Sequence, residues 1–167
     1  NIILHAVWTP VTYRINYYTN GGSLQNQVTS YTVVGANNKA TEAIVKIVAP
    51  NRTYYTFDGW YTTSQLQEES EYKLNQFDPA MEAAEGTIGD KNLYAKWTRD
   101  TYTINYYDHS QDGSWKKLDL TQTAEMGTYA RLNSTHSRPG YTLAEWNTEE
   151  DGSGIGYARG GNYYFNS

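Results

Sequence analysis

Apolar and polar positions alternate with a period of two at several places along the chain. Tyr13, Ile15 and Tyr17 fall on one face of an extended segment, and Arg14 and Asn16 on the other. That alternation is the mark of a half-buried β-strand. Asn20-Gly21-Gly22 follows, and because both residue types tolerate positive φ, a tight turn is predicted there. Residues 28–34 read as the returning strand. Leu93, Ala95 and Trp97 share a face, as do Leu4, Ala6 and Trp8, which predicts two further strands of one design. Within residues 40–48, Ile44, Ile47 and Val48 fit a helical stripe, while the β-branched content fits a strand equally. Within Phe77 to Ala84 a short helix is predicted. Asp78 can cap it, Pro79 suits its first turn, and Gly86 is a natural stop.

These patterns repeat. Tyr13-Arg14-Ile15-Asn16-Tyr17-Tyr18 recurs as Tyr102-Thr103-Ile104-Asn105-Tyr106-Tyr107, and Leu4-His5-Ala6-Val7-Trp8 recurs as Leu93-Tyr94-Ala95-Lys96-Trp97. The offset is 89 residues in both cases (13 to 102, 8 to 97). A third motif, Tyr55-Thr56-Phe57-Asp58-Gly59-Trp60, returns 86 residues on (60 to 146) as Tyr141-Thr142-Leu143-Ala144-Glu145-Trp146. Two motifs sharing one offset and a third close to it imply duplication of a single unit. Unit one is expected over residues 11–98, and unit two over residues 101–167 without a closing motif of its own. Residues 1–8 then read as the closing strand of a preceding or partner repeat. Trp8, Trp60, Trp97 and Trp146 occupy repeated positions and are expected to anchor the cores. The predicted fold class is α+β and mostly β.

Composition sharpens this picture. Of 167 residues, seventeen are Tyr and three Phe, a bias that suits thin sheets with one wet face, because Tyr packs its ring and keeps its hydroxyl hydrated. The net charge is −5, and no basic run exceeds Lys116-Lys117. Nucleic acid and anionic membrane surfaces, which need clustered positive charge, are therefore not expected partners. No apolar stretch approaches the ~20 residues of a membrane-spanning helix. The chain has no cysteine, which excludes disulfides, thiolate metal sites and a cysteine nucleophile.

Candidate chemistry is sparse. His5, His109 and His136 are far apart and lack metal-ligand spacing, so exposed histidines are expected. Glu149-Glu150-Asp151 lacks the alternating oxygen ligands of a calcium loop and reads as a solvated acidic turn. Gly152-Ser153-Gly154-Ile155-Gly156 has no helix after it, so it is not a phosphate cradle. No constellation of nucleophile, base and oxyanion donors is recognisable. No catalytic residue, metal or cofactor is expected. Trp115 has no counterpart in unit one and is expected to sit in a polar loop, Asp112-Gly113-Ser114-Trp115-Lys116-Lys117. It is read either as packing on a sheet edge or, with Tyr107 and Tyr18, as a contact for a glycan or protein ligand.

On these motifs the chain resembles the Listeria–Bacteroides repeat, the internalin B-repeat family of bacterial surface proteins. The matching residues are the opening motif with Asn20-Gly21-Gly22, Tyr55 to Tyr61, Asn92 to Trp97, and Pro139 to Thr148 with Asp151-Gly152-Ser153-Gly154. The resemblance implies small β-grasp-like units strung in series outside the cell, as a spacer or weak adhesin, and no catalytic residues. Glu145, where unit one has Gly59, departs from the pattern and puts the local bend in question. The expected partners are neighbouring repeats and a host protein or glycan. A sheet edge left without its closing strand also invites strand addition, so residues 2–8 are expected to be able to fill unit two, either in another molecule or by folding back.

Overall fold

Thirteen short strands and one α-helix account for the regular structure of a computed structural model, which describes residues 1–66, 73–109 and 113–165. The chain divides into two compact units, residues 1–98 and 99–167.

In unit one the period-two segment is strand β1 (Tyr13–Tyr18), with Ile15 buried. Asn20 (φ 50°) and Gly21 (φ 91°) form the predicted turn, closed by Gly22 N–H donating to the Thr19 carbonyl at 3.0 Å. Both central residues have positive φ, as a primed hairpin turn requires. The returning strand is shorter than its hydrophobicity predicts. It covers only β2 (Ser30–Thr32), which pairs antiparallel with β1; the chain then reverses into β3 (Gly35–Ala36), antiparallel to β2. The ambiguous stretch at residues 40–48 splits into one 3-10 turn, Ala40–Glu42, and a two-residue strand β4 (Val45–Lys46).

Strand β5 (Tyr55–Tyr61) carries the central aromatic motif, and β6 (Gln76–Phe77) pairs antiparallel with β4. Helix α1 (Pro79–Ala84) has the predicted cap. The Asp78 carboxylate accepts from the Ala80 amide at 2.9 Å, and Pro79 opens the first turn. Its C-terminus is a Schellman closure: Gly86 N–H donates to the Ala83 carbonyl, Thr87 N–H donates to the Glu82 carbonyl, and Gly86 has φ +73°.

The closing motif forms β7 (Lys91–Arg99), which lies parallel to β1 with Tyr17 opposite Leu93. The sheet order is β3-β2-β1-β7-β5, so β7 sits between the opening and central motifs. Leu93 and Ala95 are 0% and 1% exposed, and they join Ile15, Tyr31, Val45, Trp60 and Phe77 in one core. Full burial of a leucine side chain is worth about 1.5–3 kcal/mol.

Unit two holds β8 (Thr101–His109), β9 (Trp115–Glu125), β10 (Tyr129–Arg131), β11 (Glu145–Asn147), β12 (Gly156–Ala158) and β13 (Asn162–Tyr164). Strand β8 pairs antiparallel with β9, β10 with β13, and β11 with β12. Several elements match unit one. The pair Ala130–Tyr163 corresponds to Val45–Phe77, and β8 to β1. Among the described residues, unit two has no counterpart of α1 or β7.

Residues 1–8 form no strand, and Trp8, expected as a core anchor, is 87% exposed. A strand is buried by its neighbours, and the place beside β1 that its pattern fits is held by β7. Trp115 does not sit in a loop but opens β9. Asp112 of that expected loop lies outside the described residues.

Leu93→Ala is expected to destabilise unit one by about 2–5 kcal/mol in urea unfolding, since the surrounding core is closed on all sides. Burial pushes the Tyr17 phenol up to about 12. Stability that depends on the neutral phenol is complete below pH ~10, where the unfolded chain's tyrosines begin to ionise, and is lost as pH rises towards 12. Tyr17→Phe should flatten this alkaline limb, measured by circular dichroism between pH 9 and 12.

Candidate functional site

The residues that recur in three dimensions form an aromatic clamp. In unit one the Trp60 indole donates to the Val48 carbonyl at 2.9 Å, and Tyr17 meets its ring edge-on at 5.1 Å. In unit two the Trp146 indole donates to the Asn133 carbonyl at 2.9 Å, and Tyr106 packs on it at 4.6 Å. An indole N–H needs a partner when buried, and a loop carbonyl supplies it in both copies. Tyr106 additionally accepts the Asn133 amide at 3.0 Å and donates to Gln122.

The copies differ in what covers the clamp. In unit one Phe57 packs against both Trp60 and Trp97, and the Trp97 indole donates to the Thr19 carbonyl at 2.9 Å. Trp97 also lies over Gly22, where a Cβ would come within 2.4 Å of the indole. Trp60 is accordingly buried, whereas Trp146 is half-buried. Beside Trp146 runs a groove of about 830 Å³, whose floor includes Ile104, Tyr106, Leu143, Trp146, Tyr163 and Phe165.

The three residues named as ligand contacts are not all brought together. Tyr107 and Trp115 both line the groove of unit two. Trp115 packs against His109 with ring centroids 4.0 Å apart. Tyr18 belongs to unit one, where it stacks on Tyr94 at 4.6 Å with planes 9° apart. Tyr18 and Tyr107 are nonetheless equivalent in their units, both at the same motif position and both about half exposed.

Sequence reasoning missed a hydrogen-bonded polar cluster on the rim. His136 Nε2 lies 2.9 Å from the Asp108 carboxylate, with Arg138 at 3.9 Å, and the His136 ring packs on Trp146. His136 is thus a partly buried, paired histidine rather than an exposed one. The hydrogen bond from His136 holds the Asp108 carboxyl below its ordinary range, helped by the His109 amide and the Arg138 charge and opposed by burial. No spacing rule links positions 108 and 136; the contact exists because both flank the tryptophan.

The acidic turn is organised by its own polar groups. Asn147 donates to the Glu145 carboxylate and to the Gly152 carbonyl while accepting the Glu149 amide, and Asp151 accepts the Ser153 amide. Gly152 turns the chain at φ +77° with open space around it, whereas Gly154 and Gly156 lie close to neighbouring side chains. A Cβ at Gly154 would meet Thr148 at 2.3 Å, and one at Gly156 would meet the Glu145 carboxylate at 2.0 Å. The glycine run is therefore the close-packed connection of the β11–β12 hairpin. No cluster of three potential metal ligands is found among the described residues.

Mostly β units with a single clamp design, copied in tandem and elaborated differently, define a repeat module. The chain belongs to the Listeria-Bacteroides repeat domain family, whose model matches residues 13–96 and again 102–167. It is 25% identical, over its whole length and 22% of the relative's, to a protein of Evansella cellulosilytica named "Putative membrane protein". A second protein of that organism, named "Putative Gly-rich membrane protein", is 30% identical over 66% of this chain and 12% of its own length. The chain thus spans less than a quarter of either relative. No solved structure matches it. No helix among the described residues is long and apolar enough to cross a membrane.

Asp108 gives a test of the rim. Its lowered folded-state pKa contributes stability that is present above its ordinary value near 4 and lost as pH falls through the lowered one. Asp108→Asn should weaken unit two by about 0.5 kcal/mol at neutral pH, the modest worth of a partly exposed pair. It should also flatten the acid limb of a urea-unfolding series followed by tryptophan fluorescence.

Proposed function

We propose that this chain is a non-catalytic tandem-repeat module of a bacterial surface protein, in which β-grasp-like units act as a spacer with weak adhesive capacity. The carrying observation is what the two copies share. Both keep the tryptophan, its carbonyl partner and the tyrosine against it, and they differ in polar groups around these. Equivalent residues retained for packing rather than for reactive side chains support a structural role. The family match and the relatives' names, which contain "membrane protein", support placement at the cell envelope. Repetition suits this role, because weak contacts multiplied along an array gain avidity.

A glycan- or protein-binding module around Trp115 is the second reading. It is favoured by the aromatic groove that Trp115 and Tyr107 line. A glycan array comparing the chain with its Trp115→Ala variant separates the two, since loss of a specific glycan signal supports the second reading alone. For the surface reading, an antibody against the chain is expected to label intact cells that produce the protein. Labelling confined to lysed cells would overturn it.

A further inference from the structure

One turn recurs in both units and carries different side chains in each. Arg52 and Tyr55 return 86 residues on as Arg138 and Tyr141 (52 to 138, 55 to 141). In both copies the tyrosine N–H donates to the arginine carbonyl, at 3.2 Å and 3.0 Å, and the guanidinium lies over the tyrosine ring, at 3.7 Å and 4.5 Å. The residue before the tyrosine has positive φ in both, +66° at Tyr54 and +80° at Gly140. Unit two fills the centre of the turn with Pro139-Gly140, the residues such a turn prefers. Unit one puts a tyrosine there, in a backbone conformation that strains a bulky side chain. Backbone strain of this kind gathers at ligand clamps and active sites. Tyr54 is only half-buried, and its side chain has no hydrogen bond or ring contact among the described residues.

The arginines differ as well. In unit two Arg138 approaches the Asp108 carboxylate at 3.9 Å. Unit one has Thr19 at the position of Asp108, and Arg52 meets no carboxylate among the described residues. Of the five N–H donors of a guanidinium, one is used there: Nη1 donates to the Asn20 carbonyl at 3.0 Å. The group is nonetheless held in place. Tyr55 covers one face, and Gly21 lies so close that a Cβ there would come within 3.3 Å of Cζ. A fixed planar fork with donors to spare matches a carboxylate, because little side-chain freedom remains to be lost on binding.

We propose that Arg52 and Tyr54 form a binding site for a carboxylated sugar of a polysaccharide, with the guanidinium on the carboxylate and the Tyr54 ring against the sugar's C–H face. The partner's charge must be sparse, since the chain carries −5 overall and would repel a densely acidic polymer. A uronate spaced by neutral sugars meets that condition. It also offers the apolar ring face and the hydroxyls that a tyrosine engages together. Unit two lacks the site, because its arginine is paired and its turn carries glycine. The inference gives the weak adhesive capacity proposed above a ligand, and it rests on that capacity and not on where the protein resides.

The test is calorimetric titration of the full chain with a hyaluronan tetrasaccharide, in which uronate and neutral sugars alternate. One tetrasaccharide should bind per chain, and its uncharged methyl ester at least about tenfold more weakly. Arg52→Lys keeps the charge but loses the fork, and should weaken binding about tenfold. Tyr54→Gly should weaken it by a similar factor while raising the melting midpoint by about 2–4 °C, because glycine relieves the turn. On binding, the NMR signals of Arg52 and Tyr54 should shift and those of Arg138 and Tyr141 should not. Absence of binding overturns the proposal, as does equal affinity for the methyl ester or for a blocked Gly-Glu-Gly-Glu peptide of the same charge. So does a Tyr54→Gly chain that binds normally or melts earlier. Binding abolished by Trp115→Ala would place the sugar in unit two and overturn it too. None of these results bears on the labelling of intact cells, so the two readings fail separately.

Discussion

A strand in the middle of a sheet is held at two edges and two faces, and unit one depends on that condition at β7. Parallel pairing with β1 places Leu93 and Ala95 under the aromatic cluster, and the Asn20 side chain donates to the Ala95 carbonyl. The turn after β1 is thereby fastened to the strand of unit one farthest from it in sequence, whose Trp97 lies over Gly22. Contacts of such long separation close large loops, at a cost in chain entropy that the burial of Leu93 and Ala95 offsets.

The clamp tolerates change around it because its parts are few and mutually satisfied. The indole has its carbonyl, the tyrosine has its ring contact and hydroxyl partner, and the exposed face is free to vary. In unit two that freedom yields an elongated β8–β9 hairpin with an irregular register between Asn105 and Tyr107, and a histidine pair beside the tryptophan. In unit one it yields a helix whose Glu82 pairs with Lys91 at 2.9 Å.

Much of this was legible in the residues. The repeat offsets located Trp60 and Trp146 in equivalent surroundings, and Asp78, Pro79 and Gly86 bounded α1 because capping is local chemistry. What could not be read depends on neighbours. Leu4, Ala6 and Trp8 carry a strand pattern, but pattern states what a strand would bury and not whether a partner lies beside it. Residues 40–48 were ambiguous because tertiary packing of Val45 against Phe77, not propensity, decides them. Strand β9 was overlooked although Leu118, Leu120, Gln122 and Ala124 alternate with exposed residues along it. The signal was present, and the charged start of the segment masked it. The Asp108–His136 contact has no local trace at all.

Gly59 and Glu145 occupy one motif position with different backbones. Gly59 has φ +149°, where its missing side chain would find space but the backbone would resist one. Glu145 lies in strand β11, and its carboxylate fills the room left by Gly156 on the facing strand. The glutamate is thus matched to a residue elsewhere in its own copy, and the glycine to its own backbone. Genetic exchange between neighbouring copies that moves residues 145 to 156 as a block would keep that match, and a crossover within them would oblige the carboxylate to turn aside.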